Sequence, residues 1–476
     1  MQERVPAAVK ITYKGVFIME NQGIRDARTL GMPKMLVLGL QHMFAMFGAT
    51  VLVPALTGLS VSATLLFAGL GTLLFHFLAK GKVPAFLGSS FAYLAGYAAI
   101  APNGEAALLP YACVGVACSG LLYLVLAALV KSFGTERVMR FFPPIVTGPI
   151  IIAIGLILSN TAINNAAQNW WIALVAIAIV VVCNIWGKGM IKIIPILLGV
   201  VGSYLVAAVT GQVDFSAVQN AEWVGLPFAM EDTVFSFFTN GVNGKLLLDA
   251  IIAMMPISLA TMMEHIGDMS AISSTVGKNY IEDPGLHRSL LGDGAATAMA
   301  ALFGAPANTT YGENTGVLAL TKVYNPAVVR MAAVLAILFS FCPKFAALIS
   351  CMPAATIGGV SLILYGMISA VGVRNIVENQ VDFSKSRNVI IAALIIALSL
   401  GIHFSSAMGC YMGCADCANT GSANGALSFA IGSVNISLSG LAVGSLVGII
   451  LNAVLPGNDY EFGKNKKGDE SANLQV

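Results

Sequence analysis

Three acidic residues stand where the surrounding sequence is apolar. Glu264 and Asp268 lie four residues apart in the segment TMMEHIGDMS, so on a helix they share one face. Glu313 begins the apolar stretch that follows GAPANTTYG. A carboxylate in a membrane interior is costly unless it faces a cavity, finds partners or is protonated. A fixed ion pair is the alternative, but no Lys or Arg is expected at that depth, so we predict that these acids line a functional cavity.

Two short apolar segments have the pattern of a broken helix. Residues 82–93, KVPAFLGSSFAY, and residues 304–317, GAPANTTYGENTGV, each contain a Pro, then small and hydroxylated residues, then apolar residues. The apolar part of each has about 11 residues, which as helix measures roughly 16 Å, or about half of a hydrocarbon core. Each segment is predicted to begin as extended backbone and to become helical near the middle of the membrane. Close helix packing by small residues is the alternative, but it does not explain two matched short segments.

The ligand of such a site can be inferred from its expected donors and acceptors. Helix N-termini offer free N–H groups to acceptor atoms, while carboxylates accept from N–H donors. A neutral ligand with N–H donors and C=O acceptors on alternating edges matches both, which describes a nucleobase better than an anion or a sugar. Burial favours a protonated acid, whereas a helix N-terminus favours a charged one. We therefore expect Glu313 to act as an acceptor, and Glu264 or Asp268 to carry a proton.

The composition indicates that these segments lie in a membrane. Of 476 residues, 57% are hydrophobic and 10% are charged, whereas about a quarter of the residues in soluble proteins are charged. No Asp, Glu, Lys or Arg occurs in residues 35–79, 141–187 or 417–458, and each stretch exceeds the roughly 20 residues that cross a bilayer. This excludes a soluble enzyme, a nucleic-acid-binding protein and a secreted disulfide scaffold. Residues 1–33 are not expected to form a cleavable signal peptide.

Fourteen membrane spans are predicted, beginning near residues 34, 61, 84, 108, 143, 170, 190, 247, 289, 313, 327, 353, 388 and 438. With a cytoplasmic N-terminus, every basic residue except Lys245 and Lys344 lies in the tails or in the even-numbered connections. This is the distribution that the positive-inside rule requires. The expected fold is therefore an all-α polytopic membrane protein with fourteen transmembrane segments and both termini in the cytoplasm.

The spans divide into two halves of seven at the longest polar connection, residues 211–246. An odd number of spans per half gives the halves opposite orientations, an inverted repeat that is common in secondary transporters. The third span of each half should then correspond. Spans 3 and 10 are the two segments for which short extended stretches are predicted, so the sequence agrees with a 7+7 inverted repeat.

Several segments resemble the uracil permease group of the nucleobase-ascorbate transporter family, also called nucleobase-cation symporters. The resemblance covers most of the chain and includes LQHMFAMFGATVLVPAL (40–56), GKVPAFLGSSFAY, IIPILLGVVGSY, EHIGDMSAI, EDPGLHRSLLGDG, PANTTYGENTGVLALTKVY and GGVSLILYGMI (358–368). It implies a secondary active transporter in the cell membrane, not an enzyme, that imports a nucleobase by proton symport with an elevator-type alternating-access mechanism. No organic cofactor is implied; H⁺ is the expected coupling ion, and Na⁺ is the open alternative.

The resemblance also implies two domains and a homodimer. The expected divisions are a cytoplasmic N-terminal tail (1–33), a core domain of spans 1–4 and 8–11 (34–142 and 247–352), a gate domain of spans 5–7 and 12–14 (143–246, which includes the linker, and 353–456), and a cytoplasmic C-terminal tail (457–476). The expected partners are a small-molecule nucleobase and membrane lipid, without nucleic acid.

Matched position by position, the resemblance assigns roles to individual residues. Those expected to bind the substrate are Glu264, Glu313, Asn314 and, through their backbone, Phe91, Tyr311 and Gly312. Those expected to support the site or to couple a proton are Asp268, Asp293, Tyr365 and His42. His265 lies about 100° around the helix from Glu264, so packing in the core is the favoured interpretation of this residue.

The motif on span 8 departs from the uracil permease pattern. Uracil permeases usually read Glu-His-x-Gly-His there, whereas the second His is Asp268 in this chain, as in the purine-transporting branch. Asp293 in LLGDG also resembles that branch. Span 10 reads Glu313-Asn314, the pyrimidine-like form, where xanthine and urate carriers usually have Gln-Asn. Because Glu313 should contact the base directly, we rank uracil ahead of xanthine or another purine base.

Other classes of function fit the sequence less well. An anion exchanger or channel of the same architecture would need a central basic residue, and a membrane enzyme would need a nucleophile or a metal triad. Cys410, Cys414 and Cys417 have the spacing of iron-sulfur radical enzymes. On a predicted extracytoplasmic loop we interpret this spacing as coincidental, with a flexible loop favoured over a disulfide or a weak metal site. No metal site is predicted.

Overall fold

The computed structural model describes residues 23–26, 31–405, 426–431, 434–458 and 460. The elements up to the long polar connection are α1 (Gly31–Thr57), α2 (Val61–Leu78), β1 (Leu87–Ser89), α3 (Leu94–Ile100), α4 (Leu109–Phe133), α5 (Thr135–Met139), α6 (Pro144–Ala166), α7 (Trp170–Trp186), α8 (Met190–Ile193) and α9 (Pro195–Val209). Short helices α10 (Ser216–Asn220) and α11 (Phe237–Asn240) lie within that connection.

The second half repeats this order of long helices around one short strand. Its elements are α12 (Gly244–Met254), α13 (Ser258–Val276), α14 (Leu286–Leu302), β2 (Asn308–Thr310), α15 (Gly312–Thr321), α16 (Pro326–Ser340), α17 (Pro343–Ser350), α18 (Ala354–Glu378), α19 (Ser386–Phe404), β3 (Ala426–Ile431), β4 (Val434–Ser439) and α20 (Gly440–Val454).

Many of the described helices are suited to a membrane. Seven helical runs are long and apolar enough to cross one, and a further pair, α16 and α17, is bent by 87°. Shorter apolar helices include α7, α9 and α20. The expected span starts lie close to observed element starts, as at Val61, Trp170 and Ala354. The multi-pass helical class therefore holds for the described residues, while the number of fourteen crossings remains a prediction.

Local sequence sets several of the helix boundaries. The side chains of Asn169, Asn243 and Asn325 accept hydrogen bonds from the first backbone N–H groups of α7, α12 and α16. Pro256 lies in the 3-10 turn Met255–Ile257 that separates α12 from α13, because proline cannot donate the hydrogen bond that a continuous helix needs. Gly277 ends α13 in the left-handed conformation, with φ of 70°, which costs glycine no steric strain.

Helix packing in one half recurs in the other. The pairs α2–α16 and α14–α4 correspond to each other, as do α6–α19 and α18–α7, and α7–α9 and α19–α20. The pair α6–α18 joins corresponding helices of the two halves directly, as does the strand pair β1–β2. The two halves of the chain are thus interleaved and do not form separate bodies.

Two features differ from the sequence prediction. A short helix, α17, follows α16 at a sharp bend where the sequence predicted only a connection. The end of the expected loop before span 14 is an antiparallel hairpin, in which Ala426 pairs with Ser439 and Ile431 with Val434. The second strand, with the sequence VNISLS, alternates apolar and polar residues, which is the pattern of a half-buried strand. Cys410, Cys414 and Cys417 lie outside the described residues.

Candidate functional site

A two-stranded antiparallel ladder forms the centre of the site. Leu87 pairs with Thr310 and Ser89 with Asn308, and all residues of both strands are buried. The ladder continues through backbone bonds beyond its ends, since the Ser90 N–H donates to the carbonyl of Ala307 at 2.8 Å. The two extended stretches predicted in spans 3 and 10 are thus placed side by side.

Neighbouring helices satisfy the outer edges of this ladder. The Thr72 hydroxyl on α2 accepts from the Leu87 N–H at 2.9 Å and donates to the Leu87 carbonyl at 3.3 Å. The Thr297 hydroxyl on α14 donates to the Asn308 carbonyl at 2.7 Å. Backbone polar groups without water need such partners, so the two strands are stable inside an apolar protein.

Tyr311 locks the two strands to each other. Its hydroxyl donates to the carbonyl of Ser89 at 2.8 Å and accepts from the Thr50 hydroxyl at 3.3 Å. The ring lies over Gly88, where an added Cβ would approach the ring carbon Cζ to 2.5 Å. Gly88 is therefore required by this close approach, and the Tyr311 backbone is held at the start of α15.

The helices that follow the strands begin at opposite ends of the ladder. A 3-10 turn, Phe91–Tyr93, leads from β1 into α3, and β2 leads through Tyr311 into α15. The ten residues of α15 correspond to roughly 15 Å of helix, about half of a hydrocarbon core. The first N–H groups of a helix have no partner within it and carry the positive end of its dipole.

Three acids surround the start of α15. Glu313 lies in its first turn, while Glu264 and Asp268 lie one turn apart on α13, and all three are half-buried. An added Cβ at Gly312 would lie 3.7 Å from the Asp268 carboxylate oxygen Oδ1. Glu264 and Glu313 lie within electrostatic range of each other. The structure therefore brings together the acids that the sequence singled out.

Exposed glycines open the space in front of these acids. Gly267 on α13 and Gly312 and Gly316 on α15 are exposed, although each follows or precedes buried residues of the same helix. An added Cβ at Gly267 or Gly316 would have no heavy atom within 4 Å. Open space therefore lies beside these half-buried acids, next to the start of α15.

A buried His–Asp pair lies behind Asp268. The Nδ1 atom of His265 is 3.2 Å from the Oδ2 atom of Asp293 on α14, and both side chains are fully buried. The Thr310 hydroxyl lies 3.4 Å from the same His265 nitrogen and 2.9 Å from the Oδ2 atom of Asp268. From the sequence, His265 was expected to be packed in the core, and its contacts with Asp293 and Thr310 were not predicted. The sequence feature that pointed to a hydroxyl at this place was the segment NTTYG, which begins before Glu313.

The remaining expected site residues lie on the other sides of the two half-helices. The amide nitrogen of Asn314 is 3.1 Å from Nδ1 of His42 and 3.0 Å from the His42 carbonyl oxygen, and both residues are buried. The Phe91 ring meets the edge of the Tyr365 ring with centroids 5.6 Å apart. Asn314 therefore fixes α15 to α1, and Phe91 links the start of the first half-helix to α18.

Two half-helices that follow paired strands in an apolar helical bundle, with an acid in the first turn of one of them, are a pattern found in membrane transporters. A family model described as a permease family matches residues 33–408. The uracil permease of Bacillus caldolyticus is 40% identical over 443 residues, which cover 91% of this chain and 94% of that protein. The uracil permease of Escherichia coli (strain K12) is 38% identical over 374 residues, or 76% of this chain and 83% of that protein. The chain belongs to this family, whose members are permeases and not enzymes.

Solved structures show the same fold at low identity. SLC26A9 covers 90% of this chain and 66% of its own with a TM-score of 0.58 and 13% identity. The transmembrane domain of the cyanobacterial bicarbonate transporter BicA covers 79% of this chain and 96% of its own, with a TM-score of 0.53 and 15% identity. At these identities the similarity concerns the fold alone.

Proposed function

We propose that the protein imports a nucleobase by proton symport, with uracil as the preferred base and xanthine as the alternative. The observation that carries the proposal is the position of Glu264 and Asp268 on α13 beside the N-terminus of α15, where Glu313 lies. A base can accept from the free helix N–H groups through its carbonyl oxygens and donate its own N–H groups to the carboxylates. The relatives named as uracil permeases support uracil as the base.

The proposed mechanism is an elevator-type movement of a core domain, residues 34–142 and 247–352, against a gate domain, residues 143–246 and 353–456. Packing supports this division, because most helix contacts fall within one of two sets. The proposed core contains α1, α2, α4, α14 and α16, and the proposed gate contains α6, α7, α9, α18, α19 and α20. The recurrent helix pairs support a 7+7 inverted repeat of fourteen spans. Both termini in the cytoplasm and a homodimer in the cell membrane complete the proposal.

Anion exchange is the competing function, because the structural relatives include a bicarbonate transporter. The charges around the centre argue against it. Neither α13 nor α15 contains a Lys or Arg, and the charged residues at their meeting point are acidic. An anion placed there would meet carboxylates, whereas a neutral base with N–H groups would find acceptors.

Uptake of radiolabelled uracil into cells that lack their own uracil permease tests the proposal. We expect saturable uptake of chemically unchanged uracil that rises with an inward proton gradient, collapses with a protonophore and does not require Na⁺. Unlabelled uracil, thymine, hypoxanthine and xanthine serve as competitors. Stronger competition by xanthine than by uracil would establish the purine alternative, a strict Na⁺ requirement would reject proton coupling, and altered product would indicate an enzyme.

A further inference from the structure

The Thr310 hydroxyl occupies a position between two ionisable clusters. On one side it lies 2.9 Å from Oδ2 of Asp268, the half-buried acid of the open space. On the other side it lies 3.4 Å from Nδ1 of His265, which is 3.2 Å from Oδ2 of the fully buried Asp293. Thr310 is itself 1% exposed, so its side of these contacts is shielded from water.

A single hydroxyl responds to the protonation of its partner, because it has one hydrogen to donate. When Asp268 is ionised, Thr310 donates to it in a charge-assisted hydrogen bond, and the Thr310 oxygen is free to accept from His265. When Asp268 is protonated, the carboxyl becomes the donor and the bond is between neutral groups. Charge-assisted bonds are roughly twice as strong as neutral ones, so protonation weakens the tie between α13 and Thr310.

Thr310 is also a mechanical part of the substrate site. It is the last residue of β2 and pairs with Leu87 of β1. The next three residues are Tyr311, which is locked onto Ser89, and Gly312 and Glu313, which start α15. A change in the Thr310 hydrogen bond therefore acts one residue from the locking Tyr and two from the helix N-terminus that would bind a base.

We propose that Thr310 is a positioning residue whose hydroxyl couples the protonation of Asp268 to the binding of a base at the start of α15. The inference rests on the proposed function, proton-coupled nucleobase uptake, and adds to it the side chain that transmits the proton. The ionisable groups that face Asp268 are Glu264 and His265 on its own helix, Asp293 on α14 and Glu313 on α15. The Thr310 hydroxyl contacts both the half-buried Asp268 and the fully buried His265 of this set.

The test compares Thr310→Val, which keeps the shape and removes the hydroxyl, with Thr310→Ser, which keeps the hydroxyl. Thr356→Val on α18 is the matched control, because the Thr356 hydroxyl is buried and has no hydrogen-bond partner among the described residues. For each purified variant, uracil affinity is measured across pH by calorimetry, and proteoliposomes report both equilibrium exchange and accumulation driven by a pH gradient. Exchange needs no gradient and therefore separates binding from coupling.

For the native protein and for Thr356→Val we expect uracil affinity to fall by about tenfold from acid to alkaline pH, within the usual range of coupling between two sites. Thr310→Val should flatten this pH profile and lose gradient-driven accumulation while retaining exchange, and Thr310→Ser should restore both. A Thr310→Val profile parallel to the native one overturns the inference. Loss of exchange in both Thr310 variants also overturns it, since the role would then be structural. If the native protein itself neither accumulates nor binds uracil, the proposed function fails first.

Discussion

At the scale of single residues, the site places like charges close together. Glu264, Asp268 and Glu313 lie within electrostatic range of one another. Neighbouring carboxylates resist joint ionisation, so each charge that remains must be offset by a proton or by donors from a ligand. A neutral ligand that donates N–H groups reduces this repulsion, which is a physical reason for proton uptake and base binding to favour each other.

Removing the charged acceptors should weaken binding. Glu264→Gln and Glu313→Gln each replace a charged carboxylate by a neutral amide. The variant therefore loses a hydrogen bond to a charged group, which contributes about 1.5–3 kcal/mol. We expect each variant to bind uracil about tenfold to a hundredfold more weakly, as measured by calorimetry at fixed pH. Glu136→Gln, at an exposed position on α5, should leave the affinity unchanged. Native affinity in either site variant would show that its acid does not contact the base.

Neutralising Asp268 should separate binding from accumulation. Asp268→Asn cannot take up or release a proton, but its amide can still accept from the Thr310 hydroxyl. We expect measurable uracil binding and exchange together with the loss of accumulation driven by a pH gradient, compared in proteoliposomes with the exposed control Asp214→Asn. Full accumulation by Asp268→Asn would reject its coupling role.

Sequence alone identified the three acids, because a carboxylate in an apolar helix is conspicuous and its cost demands an explanation. It did not identify the partner of His265. That contact joins α13 to α14 across 28 positions of sequence, and nothing in the spacing of either helix specifies which faces meet. The contacts of Asn314 with His42 on α1 were unpredictable for the same reason.

At the scale of elements, the β1–β2 ladder determines where both half-helices begin. Thr72 and Thr297 bind the strands at equivalent positions, the first carbonyl of each, from corresponding helices α2 and α14. A threonine hydroxyl thus donates to the first carbonyl of each strand, which agrees with the proposed inverted repeat. Extended backbone within spans 3 and 10 was expected from small and hydroxylated residues, but the pairing of the strands was not.

Filling the space at Gly88 should disturb the ladder. Gly88→Ala places a Cβ against the Tyr311 ring and the Thr50 hydroxyl, and such overpacking usually costs about 1–3 kcal/mol. We expect a lower thermal unfolding temperature in detergent and weaker uracil binding, because Tyr311 must move from the start of α15. Gly401→Ala on α19, where an added Cβ meets no heavy atom within 4 Å, is the control and should leave binding intact. Equal behaviour of the two variants would show that the close approach is unimportant.

Most long elements were predictable from apolar runs bounded by charges, prolines and glycines. The hairpin β3–β4 was not predictable, because its two strands have six residues each and follow a segment of sequence rich in glycine and cysteine. The bend between α16 and α17 was also missed. Cys342 and Pro343 mark it in sequence, yet an isolated proline predicts a helix boundary and not the angle of the next helix.

At the scale of the whole molecule, contacts between the proposed core and gate domains are few beside those within them. One meeting point is a small cavity lined by Ala92 of the proposed core and by Ile157, Ser439 and Leu441 of the proposed gate. Relative movement of the two domains must change this contact. The proposed division into two domains can therefore be tested by linking the two sides of this cavity covalently.

A covalent link across this cavity should stop transport. We expect the double variant Ala92→Cys and Ser439→Cys, treated with a short bifunctional thiol reagent, to lose uracil uptake, and a cleavable reagent to allow recovery after reduction. Each single variant treated in the same way is a control, and Ser439→Cys alone also measures the effect of losing the helix cap that Ser439 provides to α20. Undiminished uptake by a fully linked protein would show that these surfaces do not separate during transport.

The β1–β2 ladder also bears on how such a chain could have originated. Each half supplies a single strand, whose hydrogen-bonding edge is completed only by the strand of the other half. Under the proposed inverted repeat, an ancestor half as long would have formed this binding centre by associating with a second copy of itself in the opposite membrane orientation. Gene duplication and fusion would have made that association permanent, and the two strands could then diverge, one toward Ser89 and Ser90 and the other toward Glu313.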